Sequence, residues 1–198
     1  MSNQIDCSDD FEDITIELIS PLNKQLCSGI GQKHTDKYGK DLLNISLAEI
    51  KALVDNPQDI DKASAQWFIP SDIITRKKET HLEIASYYAL WADLDHNPPK
   101  IQDLADLVMG FIGDGLDCDF EIYTSKSAKE DYQKSRIIIP LASKVNANDF
   151  EVLQECLNDW LETNEVIPDR SSQSANQLCY LPNKGDYYNN ISSRESRF

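Results

Sequence analysis

The alternation of strand and helix patterns between residues 84 and 182 restricts the possible folds most strongly. Short runs rich in apolar, aromatic and β-branched residues predict strands, and apolar residues three and four positions apart predict amphipathic helices. In chain order the predicted elements are a strand at 84–95, a helix at 101–115, strands at 119–125 and 136–141, a helix at 146–164 and a strand at 176–182.

This β-α-β-β-α-β order predicts an α+β fold of the ferredoxin-like or RNA-recognition (RRM) type. We expect two helices on one face of a four-stranded antiparallel sheet, with the other face available. The predicted organisation is an RRM-type core at 81–188, an N-terminal α/β extension at 1–80 packed on it, and a C-terminal tail at 189–198. In the extension, 11–19 has strand-like content, and "SLAE" predicts a helix start at Ser46 with a capping box to Glu49.

The first core strand ends in "WADLD", with two aspartates separated by one leucine. Side chains alternate along a strand, so Asp93 and Asp95 point to the same side. One face therefore holds Tyr87, Ala89, Trp91, Asp93 and Asp95, and the other holds Tyr88, Leu90, Ala92 and Leu94. The second set suits packing under the helices, which predicts that both carboxylates lie on the face away from them.

Two interpretations of the aspartate pair remain open. Neighbouring carboxylates repel unless a cation lies between them, and their hard oxygens are ligands suited to Mg²⁺ or Mn²⁺. The alternative is that the pair marks the solvated end of a strand that runs into the loop "HNPPK".

Further candidates come from the loop and strand that follow. By alternation Arg136 shares the aspartates' open face, where a guanidinium suits a triphosphate or plain solvent exposure. The loop "TSKSAKEDYQKS" offers Ser125, Lys126 and Ser127, which suit phosphate binding or an ordinary polar hairpin. Asp169, before the last predicted strand, is a candidate third acidic ligand or a simple loop residue.

Composition restricts the function classes. The net charge of −15 disfavours tight, unaided nucleic-acid binding, although a local basic groove or a divalent metal would permit it. The five scattered cysteines contain no CxxC pair and indicate free thiols in a reducing compartment. No apolar run reaches the length of a membrane span and the N-terminus is polar and acidic, so we expect a cytoplasmic protein with no membrane contact.

Three motifs together resemble the primase–polymerase domains of the archaeo-eukaryotic primase superfamily, as found in phage and plasmid replication proteins. "WADLD" resembles its acidic metal-binding motif. "IYTSKSAKEDYQKSRIIIPL" resembles its strand, serine-rich loop and arginine-led strand. "IPDRSSQSANQLCYLPNKG" resembles its third motif, an aspartate followed by a strand. The resemblance covers residues 84 to 186, about half the chain.

The resemblance implies roles for individual residues. Asp93, Asp95 and Asp169 would be catalytic ligands of Mg²⁺ or Mn²⁺ in nucleotidyl transfer, and the incoming nucleotide would contact Ser125, Lys126, Ser127 and Arg136. Trp91 or Tyr123 would stack on a base or pack in the core. One departure is clear: the family's second motif carries a histidine where this chain has Ala128, and we expect His96 to be a surface loop residue instead.

The implied activity is primer synthesis on single-stranded DNA from nucleoside triphosphates, in a bacterial or phage-infected cell. No GxxxxGK[ST] motif occurs, so helicase activity would come from a replicative helicase or a C-terminal domain absent from this sequence. Two alternatives remain open: a catalytically degenerate nucleotide- or single-strand-binding module of the same fold, and an acidic regulatory or interaction protein.

Overall fold

A computed structural model describes residues 21–31, 42–113 and 119–193. Its strands are β1 (Gln25–Ile30), β2 (Leu43–Ser46), β3 (Gln66–Phe68), β4 (Ser86–Leu94), β5 (Glu121–Thr124), β6 (Ser135–Asn146), β7 (Cys179–Tyr180) and β8 (Asn190–Ser192). Its α-helices are α1 (Leu47–Asp55), α2 (Lys78–Ile84), α3 (Ile101–Ile112) and α4 (Ala147–Thr163). The strand predicted at 11–19 lies outside the described residues.

The strands form two four-stranded sheets in which every pair is antiparallel. The first sheet has the order β2-β1-β3-β7 and the second β4-β6-β5-β8. The α+β class is thus confirmed. None of the helices described is long and apolar enough to cross a bilayer.

Local signals in the sequence determine the helix ends. Ser46 and Glu49 form the predicted capping box at the start of α1. Gly113 ends α3 with a φ of 89°, a backbone conformation that favours glycine. The start of α4 is capped by Asn146, whose side chain accepts a hydrogen bond from the backbone N–H of Asp149.

Helices α3 and α4 pack on one face of the second sheet, as predicted. The main core contains the apolar side chains of that face and of both helices: Leu90, Ala92, Leu94, Leu104, Val108, Ile122, Ile137, Ile139, Phe150, Leu157 and Leu161. The apolar spacing of the two helices is what brings these side chains to a common side.

The last strand of the predicted core belongs to the other sheet. Within "NQLCYLP" only β7 is a strand, and it pairs with β3, with Trp67 opposite Tyr180. The fourth place in the second sheet is taken by β8, which pairs with β5 and lies in the predicted tail. The six predicted elements therefore do not form the ferredoxin-like order. Periodicity identifies a strand, but long-range contacts choose its partner.

The predicted faces are wrong at the start of β4, where the strand is irregular at Tyr87 and Tyr88. The register with β6 shifts by three residues between Tyr87 and Ala89, and a shift by an odd number of residues exchanges the two faces. Tyr87 thus packs on the helix side, stacked on Phe150 with ring centroids 4.2 Å apart. Tyr88 joins the core on the opposite side. Beyond the shift, the predicted alternation of the strand is as observed.

The face away from the helices is only partly available. A second core joins Trp91, Tyr123 and Ile138 of this face to side chains of the first sheet and α1, among them Phe68 and Ile50.

The domain boundaries at residues 80 and 188 stay a prediction.

Candidate active site

A cavity of about 450 Å³ is lined by residues at the end of β4 and by residues in and next to the first sheet, among them Ala65 and Tyr180. It is lined by all seven residues predicted from the sequence: Asp93, Asp95, Ser125, Lys126, Ser127, Arg136 and Asp169. These residues come from three separate parts of the chain, and the antiparallel pairing of β4, β5 and β6 brings the first two parts together.

Asp93 and Arg136 form an ion pair at the base of the cavity. They are directly opposite each other on β4 and β6, and Arg136 Nη2 donates to Asp93 Oδ2 at 3.0 Å. Burial alone would lower the pKa of Arg136, but the adjacent Asp93 carboxylate raises it above its ordinary value. Arg136 therefore stays charged, with its guanidinium held in the cavity wall.

Asp95 lies at the solvent-exposed rim. Lys134 Nζ donates to Asp95 Oδ1 at 3.1 Å, and the Asp95 side chain is 49% exposed. Exposed pairs of this kind contribute about 0–1 kcal/mol, so Asp95 can exchange this partner for another cation at little cost.

Asp169 reaches the same cavity through a backbone contact. Its N–H donates to the carbonyl of Asp93 at 2.8 Å, which binds the 169–173 segment to the outer edge of β4. The Asp169 side chain accepts from the N–H of Ser171 at 2.9 Å and so caps the 3₁₀ turn Arg170–Gln173.

The serine-rich loop is held by close backbone contacts. The Ser125 N–H donates to the Lys134 carbonyl, and the Ala128 N–H donates to the Ser125 carbonyl. Gly185 packs so tightly against this loop that a Cβ there would lie 2.1 Å from the Lys126 carbonyl oxygen. Ala128, which replaces the expected histidine, is buried and supplies no polar side chain.

Sequence reasoning missed Tyr180 and two lysines of the lining, Lys62 and Lys134. The guanidinium carbon of Arg136 and the ammonium of Lys62 each lie 5.9 Å from the centre of the Tyr180 ring. Tyr180 was visible in the "CYLP" motif, but only the pairing of β7 with β3 takes it to the cavity. Nothing in the local sequence around Lys62 indicates its place.

The aromatic residues proposed for base stacking differ in access. Tyr123 is fully buried and donates its hydroxyl to the Tyr180 carbonyl at 2.7 Å, which makes it a core residue. Trp91 lines the cavity but is only 2% exposed. His96 is exposed on the loop after β4, as predicted.

The acidic residues fit a divalent cation by donor type and location, but not by their present arrangement. Within 21–31, 42–113 and 119–193, no three His, Cys, Asp or Glu side chains form a group that would hold a metal ion. However, Asp93 Oδ1 is buried without a hydrogen-bond partner, and all three carboxylates line one cavity. Oxygen ligands of this kind suit Mg²⁺ or Mn²⁺.

Comparison with known proteins gives a likeness to a solved structure. No family model and no curated protein matches the chain. Its fold is similar to the AEP domain of the cyanophage S-2L primase–polymerase (PrimPol), with a TM-score of 0.47 and 11% sequence identity over 86% of this chain and 81% of that chain. A backbone likeness at this level does not assign chemistry to the present chain.

Proposed function

We propose that this chain is a primase–polymerase domain that transfers nucleotides to a primer on a single-stranded DNA template. The supporting observation is that one cavity is lined by Asp93, Asp95 and Asp169 together with Arg136 and the Ser125–Ser127 loop. These are the residue types that such a transfer needs: carboxylates for divalent cations, and cationic and hydroxyl groups for a triphosphate.

The charge of the cavity offsets the acidity of the chain. Four cationic side chains, Lys62, Lys126, Lys134 and Arg136, line it against three aspartates, whereas the whole chain carries −15. A triphosphate entering the cavity therefore meets a local positive excess, which strengthens further when a metal ion is bound.

Each residue has a defined task in the proposal. Asp93, Asp95 and Asp169 would hold Mg²⁺ or Mn²⁺, and a divalent cation bound there would supply Lewis-acid chemistry for nucleotidyl transfer. Arg136 stays protonated and contacts the phosphates, with Lys126 and the hydroxyls of Ser125 and Ser127 orienting them. Because the Ala128 side chain supplies no hydrogen-bond donor, the proposed phosphate contacts are made by these other side chains.

The proposed partners are a single-stranded template, nucleoside triphosphates and a replicative helicase on another chain or a further domain. We place the activity in the cytoplasm of a bacterial or phage-infected cell.

A second candidate is a binding module that retains nucleotide but does not turn it over. Two observations favour it: Asp93 and Asp95 are both paired with cationic side chains, and Ala128 stands at the expected histidine position.

Primer synthesis on single-stranded DNA with labelled nucleotides and Mg²⁺ or Mn²⁺ tests the proposal. We expect product from wild type and from Asp103→Asn, an exposed control on α3 outside the cavity. Loss of the half-buried Asp93 carboxylate in Asp93→Asn should reduce product about 100-fold or more. Undiminished synthesis by folded Asp93→Asn would refute the enzymatic role of this cavity. Nucleotide binding without any synthesis by wild type would support the second candidate.

A further inference from the structure

Among the strands of the described residues, none pairs with the outer edge of β4, which is the terminal strand of its sheet. An uncovered edge leaves backbone N–H and C=O groups that need partners. Three separate contacts supply them along the strand. Residues 70–72 cover its start, the Gln154 side chain covers Trp91, and the Asp169 N–H covers the carbonyl of Asp93.

Gln154 pairs with both backbone groups of Trp91. Its Oε1 accepts from the Trp91 N–H at 3.2 Å, and its Nε2 donates to the Trp91 carbonyl at 2.7 Å. Gln154 is fully buried on the apolar face of α4, where an amide is costly unless it is hydrogen-bonded. Only a side chain with one acceptor and one donor group makes both bonds.

The same amide continues to the segment that carries Asp169. Gln154 Nε2 also donates to Ser172 Oγ at 3.3 Å, and Asn158 Nδ2 donates to that oxygen at 3.3 Å. Ser172 in turn donates its own N–H to the carbonyl of Asp169. Gln154, Asn158 and Ser172 are each completely buried.

We propose that Gln154 is a positioning residue that holds Asp169 against Asp93. It binds the strand two residues before Asp93 and the turn three residues after Asp169, so it keeps the two aspartates in a constant relation. Asn158 and Ser172 complete this connection. Only the use of Asp169 and Asp93 as metal ligands rests on the proposed function. Whether Gln154 holds Asp169 in place is tested without any ligand.

The ligand-free test is hydrogen exchange of the Asp169 amide in Gln154→Met, which keeps the length of the side chain and removes its hydrogen bonds. We expect this amide to exchange at least about tenfold faster than in wild type, because its bond to Asp93 opens locally. If Gln154→Met does not fold, Ser172→Ala carries the same test from the other end of the connection. An unchanged exchange rate in a folded variant would overturn the inference.

The second test measures Mn²⁺ affinity by calorimetry in a double-mutant cycle. Loss of a residue that orients a ligand typically weakens metal binding about 10–100-fold, and we expect the lower end for Gln154→Met. In an Asp169→Asn background the same substitution should change affinity by less than about twofold, because the ligand that it positions is already gone. A purely structural role would produce the same loss in both backgrounds.

Leu157→Ala provides the matched control. Leu157 is fully buried on the next turn of α4 and belongs to the apolar core, so its truncation lowers the melting temperature while the Gln154 hydrogen bonds to β4 stay in place. Its Asp169 exchange rate and Mn²⁺ affinity should stay within about twofold of wild type.

The outcomes separate the two proposals. Faster Asp169 exchange in a protein whose wild type does not bind Mn²⁺ would refute the metal-dependent function and retain the positioning role. Faster exchange with an unchanged Mn²⁺ affinity, in a wild type that does bind, would overturn the inference.

Discussion

The two faces of the second sheet are built in opposite ways. The helix face presents Leu90, Ala92, Leu94, Ile122, Ile137 and Ile139, all within the main core. The cavity face presents Trp91, Asp93, Glu121, Tyr123, Arg136 and Ile138, as the cross-strand register requires. A half-buried carboxylate, Asp93, and a buried one, Glu121, are therefore on the same side, and both have a cationic partner: Arg136 for Asp93 and Lys51 for Glu121.

The faces also differ in how their buried polar atoms are partnered. Trp91 Nε1, Asp93 Oδ1 and Arg136 Nε lie on the cavity face without a hydrogen-bond partner, and Ser135 Oγ is the corresponding atom on the helix face. Buried polar atoms without partners are few in native proteins, and such atoms are accounted for by water, an ion, strain or a functional role. Apolar packing therefore stabilises the helix face, whereas the cavity face keeps polar atoms that can bind a ligand.

The largest expected effect concerns the helix face. Phe150→Ala removes a fully buried ring that stacks on Tyr87, and should lower the free energy of unfolding by about 3–5 kcal/mol. Urea denaturation measures this. Val152→Ala, at a 58% exposed position on the same helix, should change it by no more than about 0.5 kcal/mol. Equal effects of the two substitutions would contradict the assignment of this face.

The next effect concerns the charged pair on the cavity face. Arg136→Met leaves the Asp93 carboxylate without its partner and should destabilise the protein by about 3 kcal/mol. Adding Asp93→Asn removes the uncompensated charge, so the double variant should recover most of this loss. Denaturant unfolding of the three variants measures the coupling. No recovery would mean that Arg136 stabilises the fold through packing and not through charge.

A smaller, pH-dependent effect is expected from His81, a buried polar residue whose ring nitrogens are partnered. Nε2 lies 2.8 Å from the Thr75 carbonyl oxygen, which can only accept, so Nε2 carries the proton of the neutral ring. Nδ1 then accepts a hydrogen bond from the Ser71 hydroxyl at 3.2 Å. Burial lowers the pKa of His81 below its ordinary value of 6.5.

A lowered pKa means that the unfolded chain binds a proton more readily than the folded one, so His81 favours folding above about pH 6.5. Below that pH this contribution should fall by up to about 1.4 kcal/mol per pH unit, until the folded pKa is reached. The free energies of unfolding of wild type and of His81→Gln are measured at pH 7 and at pH 5, and the difference between the two proteins is compared at the two pH values. A difference that stays constant with pH would refute the prediction.

The smallest effect on stability concerns the cavity rim. Lys134→Ala breaks an exposed pair with Asp95 and should change the free energy of unfolding by less than about 1 kcal/mol. Because it frees a carboxylate, it should leave Mn²⁺ affinity unchanged or increase it. Lys144→Ala, an exposed lysine on β6 outside the cavity, serves as the control. A marked loss of Mn²⁺ affinity in Lys134→Ala alone would show that Lys134 supports the site in another way.

Much of the candidate site follows from the sequence, because its signals are local. Alternation along β4 places Asp93 beside Trp91 on the side away from the helices, and the arginine at the start of β6 shares that side. The capping box at Ser46 and the glycine end of α3 were equally visible. The role of Gln154 was not, since an amide on an apolar helix face gives no indication of which backbone groups it will meet.

The sequence by itself determined the strands and helices between residues 86 and 180, and which side chains share a face from Ala89 to Leu94, because backbone periodicity depends only on neighbouring residues. Tertiary structure alone decided that β7 pairs with β3 and that β8 completes the second sheet. It also decided that the start of β4 exchanges its faces and that Asp169 meets Asp93. These pairings and contacts join residues far apart in the chain. Their energies depend on how the whole core packs and not on the neighbouring residues.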